Sequence, residues 1–202
     1  MRIAQACQLI EQARGERVLV STMGAMHAFD ALGVAERRLS SVPLMGGAAS
    51  LGLGLALRRP DVGVIVVDGD ASLLMQLGGL VTVAEAKPER FLHIVIENGV
   101  QFGGASNLPT PGAGSVDYAA LARAAGYVDA VTITDAGQFA AALPALLAQS
   151  GPVLIALGIE PEPSRFGPAL PQPEMPDRQF ARMGQEAEAL GVWYANQVAG
   201  EA

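Results

Sequence analysis

The chain holds a single cysteine, Cys7, so no internal disulfide can staple it. Cys7 lies on the apolar side of the first expected helix and reads as buried filler. No run of about 18 apolar residues is present, so no membrane span is expected. No charged segment followed by an apolar one opens the chain; a signal peptide is therefore not expected, and the cytoplasm is the expected compartment. Basic residues are scarce: 13 Lys and Arg stand against 20 Asp and Glu, for a net charge of −7, and they come at most in pairs such as Arg37-Arg38 and Arg58-Arg59. Nucleic-acid binding needs a basic surface that neutralises phosphates, and this composition argues against it. No strand–GxGxxG–helix, Walker loop or internal repeat occurs, which leaves an ordinary nucleotide-binding domain without support.

What is present is apolar. Half of the residues are hydrophobic and only 16% are charged. At 202 residues the chain favours one domain with a tail, and it is long enough to bury roughly 70% of its unfolded surface. The apolar excess fits a large buried sheet, and part of it fits subunit interfaces.

Short aliphatic runs alternate with helical spacing. Residues 1–14 place Ile3, Ala6, Leu9, Ile10 and Ala13 on one helical face. Strands are expected at 17–21, 62–67, 91–96, 128–133 and 152–157, and helices at 45–58, 72–86, 117–126 and 136–148. Residues 99–114, rich in Gly, Pro, Ser and Asn, read as a long loop. Continuous apolar strands alternating with helices predict an α/β fold: a doubly wound, mostly parallel sheet with helices on both faces. Ligands of such folds sit beyond the carboxyl ends of the strands. Six prolines between 160 and 176 predict an extended linker, after which Asp177 caps a helix to about residue 190, weakened by Gly184. The expected division is residues 1–160 as one binding domain and 161–202 as linker and helical tail.

Asp70 follows the aliphatic run 64–67 where a strand meets a helix. Taken alone, an acid there reads as a helix cap, together with Ser72. Asn98 stands at the corresponding point after the next strand. In a parallel sheet, two strands joined by one helix end at the same edge, so Asp70 and Asn98 converge there. Two hard oxygen donors beside glycine-rich loops suit a divalent cation and an anion. A two-residue hairpin at Asn98-Gly99 is the competing reading, but a glycine-rich loop follows it instead of an alternating strand.

Gly69-Asp70-Ala71-Ser72 through Glu97-Asn98 resembles the thiamine-diphosphate signature, in which a Gly-Asp-Gly precedes an Asn by under thirty residues. The stretches 73–78 and 93–99, and Met45-Gly46 followed by 50–54, extend the resemblance over most of residues 15–160. It is similar to the cofactor-diphosphate domain of 2-oxoacid decarboxylases such as phosphonopyruvate and sulfopyruvate decarboxylase.

The resemblance implies a cofactor, thiamine diphosphate, and Mg²⁺ bound by the side chains of Asp70 and Asn98 and the carbonyl of Val100. It implies cofactor contacts at Pro43, Met45, Gly46, Ser50, Gly69, Ala71 and Ser72. Met45 takes the place of the residue that holds the cofactor bent, and Pro43 keeps the carbonyl that accepts the cofactor amine. Alanine at position 71 replaces the usual glycine and still offers an amide. Three stretches depart from the pattern: Met26-His27-Ala28, Gly104-Ala105-Ser106-Asn107, and Gln101 in place of an aromatic. They leave the substrate's acidic group open. His27 is a candidate polar contact or proton donor, and His93 reads as structural.

The glutamate that activates the cofactor's pyrimidine ring comes, in the family, from a separate domain. The resemblance therefore implies a partner: a separate pyrimidine-domain subunit completing a hetero-oligomeric decarboxylase for a small 2-oxoacid. An acetolactate-synthase-like carboligase subunit and a non-catalytic, cofactor-binding regulatory subunit remain open as alternatives.

Overall fold

The computed structural model describes residues 1–41, 44–103, 106–163 and 176–199. Six parallel strands form the central sheet: β1 (Val18–Ser21), β2 (Arg38–Ser40), β3 (Val64–Gly69), β4 (Arg90–Glu97), β7 (Asp129–Ile133) and β8 (Gly151–Gly158), in the order β2-β1-β3-β4-β8-β7. β3, β4 and β8 are aliphatic because both of their faces are covered.

On one face lie α1 (Ile3–Arg14), α2 (Met23–Ala31) and α7 (Ala136–Ala148), whose Ile10, Phe29 and Phe139 pack with Ile65, Ile94 and Ile155. On the other lie α3 (Ala48–Arg58), α4 (Asp70–Met75), α5 (Gly79–Ala86) and α6 (Tyr118–Ala125), whose Leu53, Leu73, Leu80 and Ala122 pack with Val66, Phe91 and Val95. The doubly wound sheet is thus the fold that the sequence pattern predicts. Cys7 is fully buried on α1, and burial pushes its thiol up to about 12, so it is inert packing. No helix among the described residues is long and apolar enough to cross a membrane.

Several local expectations change. The expected helix over 72–86 is two helices, broken at Gln76–Gly78, where Gln76 leaves helical geometry and two glycines follow. The helix expected from residue 45 starts at Ala48, because Leu44–Gly47 forms a tight turn closed by the Gly47 N–H on the Leu44 carbonyl. Residues 22–44 hold α2 and β2, neither of which the apolar periodicity signals. The loop 99–114 contains a small antiparallel pair, β5 (Val100–Gln101) with β6 (Leu108–Pro109).

The C-terminal helix α8 (Pro176–Ala199) runs well past residue 190 and lies against β2, the edge strand. Glu186 fills the strand's open hydrogen-bonding edge: its Oε2 accepts the Ser40 N–H at 2.6 Å and its Oε1 the Ser40 hydroxyl at 2.9 Å. Arg38, only 3% exposed, reaches Glu186 at 3.2 Å and Asp30 at 2.8 Å, and Arg182 of α8 meets the other Asp30 oxygen at 2.7 Å. A charged clamp thereby covers an edge that would otherwise pair with another chain.

Candidate active site

β3 and β4 run in register, Gly69 beside Ile96, so the chain leaves both strands at one rim of the sheet. Asp70 begins α4 there and is 2% exposed. Its Oδ1 accepts the Ala71 N–H at 2.7 Å, and its Oδ2 accepts the Gly99 N–H at 2.7 Å. The second bond joins the two rim loops and sets the Asp70 carboxylate one peptide from Asn98. Gly99, at φ 69°, makes the turn that only a residue without Cβ adopts freely. Within that turn the Asn98 Oδ1 accepts the Val100 N–H at 3.0 Å, and the Thr110 N–H donates to the Gly99 carbonyl at 2.9 Å.

The same rim recruits a second loop. Gly46 donates its N–H to the Ser72 hydroxyl at 2.8 Å, and a Cβ on Gly46 would stand 3.0 Å from the Gln76 Cβ. The Met45-Gly46 turn is therefore fastened to the start of α4, with Met45 half-buried beside it.

The rim is electronegative. Burial pushes the Asp70 carboxyl up, and the backbone donors of Gly99, Ala71 and Asn98 only partly offset it; no cationic side chain among the described residues contributes. The Glu97 carboxyl is raised by burial, then by Asp70 and Asp117. The Tyr118 phenol is pushed up to about 12 by burial and by the same two carboxylates, Asp70 and Glu97. A buried carboxylate without a cationic partner calls for a counter-ion.

The donor set fits magnesium and a diphosphate. The Asp70 carboxylate meets the turn that carries Asn98, and among the described residues no group of three His, Cys, Asp or Glu side chains could cage a metal. Magnesium suits this arrangement, since it binds one or two protein oxygens and takes the rest of its octahedron from phosphate and water. The Thr110 hydroxyl, buried and without a partner among the described residues, stands beside this loop as a donor still to be satisfied.

The structure brings together Gly69, Asp70, Ala71, Asn98 and Val100 around one turn and attaches Gly46 to Ser72. The Ala71 N–H, expected to face an anion, is used by Asp70 in this arrangement. Ser50 is exposed on the first turn of α3. Pro43 lies outside the described residues. His27 sits on α2, not in a turn, with its Nδ1 3.9 Å from Asp30. His93 is fully buried in β4, its Nδ1 3.2 Å from the Tyr127 hydroxyl and its Nε2 3.6 Å from Asp68, which agrees with a structural place. Sequence reading missed Asp117, Tyr118 and Thr110 at this rim. Asp117 had a readable signal as the cap of α6, whose Oδ1 accepts the Ala120 N–H.

Residues 22–157 match the family described as thiamine pyrophosphate enzyme, C-terminal TPP binding domain. The chain belongs to the thiamine pyrophosphate enzyme family. Within that family it is 37% identical over 163 residues to phosphonopyruvate decarboxylase of Streptomyces viridochromogenes, covering 79% of this chain and 40% of that protein. It is 36% identical over 104 residues to sulfopyruvate decarboxylase subunit beta of Methanocaldococcus jannaschii, covering 52% of this chain and 54% of that one. The thiamine diphosphate-dependent 4-hydroxybenzoylformate decarboxylase of Rhodococcus jostii shares the fold, with a TM-score of 0.67 at 21% identity over 80% of this chain and 33% of that chain. This thiamine pyrophosphate enzyme domain thus spans about half the length, or less, of these relatives.

Proposed function

We propose that the chain is the β-type, diphosphate-binding subunit of a thiamine-diphosphate- and Mg²⁺-dependent 2-oxoacid decarboxylase, completed by a separate pyrimidine-domain subunit. The observation that carries this reading is the Asp70–Gly99 hydrogen bond, which sets a buried carboxylate beside the Asn98 loop at one rim. Asp70, Asn98 and the Val100 carbonyl hold the metal; Gly69, Ala71 and Ser72 face the diphosphate; Pro43, Met45, Gly46 and Ser50 belong to the cofactor's remaining contacts. The division into a binding domain, residues 1–160, and a linker and tail, residues 161–202, is part of the same reading.

The bound cofactor supplies the electron sink that lets a 2-oxoacid lose carbon dioxide. The chain's own residues anchor and orient. Asp70 is tied to the Asn98 loop through the Gly99 N–H, which would pre-orient it toward a metal before substrate arrives. The Met45-Gly46 turn, tied to Ser72, would hold Met45 in a set position relative to the start of α4, where it would orient the cofactor. Glu97 directly precedes Asn98 at the diphosphate end of the site, so it is not the activating acid. That acid comes from the partner.

The test is reconstitution. With the candidate partner subunit, thiamine diphosphate and Mg²⁺, the chain releases carbon dioxide from at least one of a panel of 2-oxoacids, sulfonated and phosphonated ones included. Formation of a coupled acyloin product without net release of free aldehyde would replace decarboxylation with carboligation. Full turnover by this chain without any partner would remove the two-subunit arrangement.

A further inference from the structure

The sequence shows no arginine cluster larger than a pair, but the fold gathers three arginines from distant positions. Arg17 precedes β1, Arg90 begins β4, and Arg59 caps the end of α3. All three line a cleft of about 200 Å³ at the amino ends of the strands, opposite the Asp70 rim. α8 closes one wall with Trp193.

The charges in the cleft do not balance. Asp61 is engaged by the Arg59 guanidinium through both oxygens, and that bond, helped by Arg59 and Arg90 as charges, holds its carboxyl down to about 2. Glu16, at the mouth, turns to Arg37 at 3.5 Å. Arg17 donates to the carbonyls of Arg14 and Leu147, and Arg90 to the carbonyl of Asp61. Among the described residues neither Arg17 nor Arg90 has a carboxylate within ion-pair distance. The two guanidiniums repel each other: after burial, Arg90 is the cause that lowers the Arg17 pKa. In a chain of net charge −7, this is a local excess of positive charge that a bound anion would relieve.

We propose that this cleft is a second, non-catalytic ligand site for a phosphate-sized dianion, either free phosphate or the phosphate of a small phosphomonoester, gripped by Arg17 and Arg90 against the Trp193 wall. The volume suits a phosphate group with a small body and is below the usual range of about 300–1,000 Å³ for larger ligands. The site lies across the sheet from the thiamine site and stands whether or not that assignment holds. Because α8 also clamps β2, an anion in the cleft would add a further point at which the C-terminal helix is fastened.

Trp193 is the only tryptophan, so indole emission reports on the stretch of α8 that forms this wall. The full chain is titrated with inorganic phosphate and with glycerol phosphate, at constant ionic strength set with chloride and in EDTA, so that no divalent cation draws phosphate to the opposite rim. Emission and calorimetric heat are followed together. The expected result is a saturable change in both, with a midpoint below about 10 mM. It is weakened at least fivefold by Arg90→Gln and lost in the Arg17→Gln/Arg90→Gln double variant. Tighter binding of glycerol phosphate assigns the cleft to a phosphorylated metabolite; tighter binding of phosphate assigns it to the free ion. Arg90 is exposed, so Arg90→Gln alone keeps the test open if replacing Arg17 unfolds the chain. The proposal is overturned by the absence of saturation, by an equal response to chloride, by heat without a change in emission, or by an Arg90→Gln variant that binds as the parent does.

Discussion

Thr110 carries a buried hydroxyl with no partner among the described residues, beside the loop in which Gly99 and Val100 donate to Asp70 and Asn98. An unsatisfied buried hydroxyl costs about 1–3 kcal/mol. Thr110→Val removes that group at nearly constant shape, so the ligand-free chain gains about 1 kcal/mol in chemical denaturation, while affinity for magnesium diphosphate falls by a factor of about three to ten. An unchanged affinity would show that the hydroxyl is not part of the ligand's shell. Ser72 presents the opposite case. Its hydroxyl already accepts the Gly46 N–H, so Ser72→Ala costs about 1 kcal/mol of stability in the same denaturation. At this scale Asp70 and Asn98 were legible, because a fixed spacing across one strand–helix–strand unit determines where two strands end. Tyr118 and Thr110 were not, since nothing local marks a residue that a later helix or hairpin carries back to the same rim.

At the scale of elements, two glycines of α3 separate packing from propensity. A Cβ on Gly52 would lie 2.4 Å from the Val66 Cγ2, whereas one on Gly54 meets nothing within 4 Å. Gly52→Ala should therefore cost about 1–3 kcal/mol through overpacking against β3, and Gly54→Ala should add about 0.5–1 kcal/mol through helix propensity. Thermal melts of the two variants give opposite signs if α3 sits as described.

The α8 clamp makes a second prediction. Burial alone would raise the Asp30 carboxyl, but the hydrogen bond and charge of Arg182, together with Arg38, outweigh it and lower it. A lowered folded value gives stability that is complete above the unfolded carboxylate value of about 3.9 and is lost as pH falls through the folded one. Trp193 emission should report release of α8 only below about pH 4, and Asp30→Asn should loosen the helix already at neutral pH. Glu186→Ala, which strands the Ser40 N–H and removes one partner of buried Arg38, should cost about 2–4 kcal/mol. β3, β4 and β8 were readable as unbroken aliphatic runs. β2 was not: it has three residues, and its buried Arg38 looks in sequence like half of a solvated basic pair. The break between α4 and α5 hides inside a stretch whose apolar spacing continues across it.

For the whole molecule, one sheet carries three separate surfaces: an acidic rim at the carboxyl ends, an arginine cleft at the amino ends, and an edge covered by the tail. Exposed Leu44, Met75, Leu77 and Val81 lie on the Met45 turn and along α4 and α5, next to the acidic rim. That apolar ground is where a partner supplying the activating acid would seat. Met75→Asp or Val81→Asp should weaken assembly with the proposed pyrimidine-domain subunit in analytical ultracentrifugation without lowering the melting temperature of the isolated chain. Normal assembly of both variants would place the partner on another face.

The claim on which the proposed function depends is that Asp70 binds the metal that anchors the diphosphate. Calorimetric titration of thiamine diphosphate into the chain, with Mg²⁺ and with EDTA, measures it directly in the parent and in Asp70→Ala. Binding that requires Mg²⁺ and weakens at least about 100-fold in Asp70→Ala is the expected result, a loss of about 2.7 kcal/mol or more. Equal affinity in parent and variant, or binding indifferent to Mg²⁺, would contradict it.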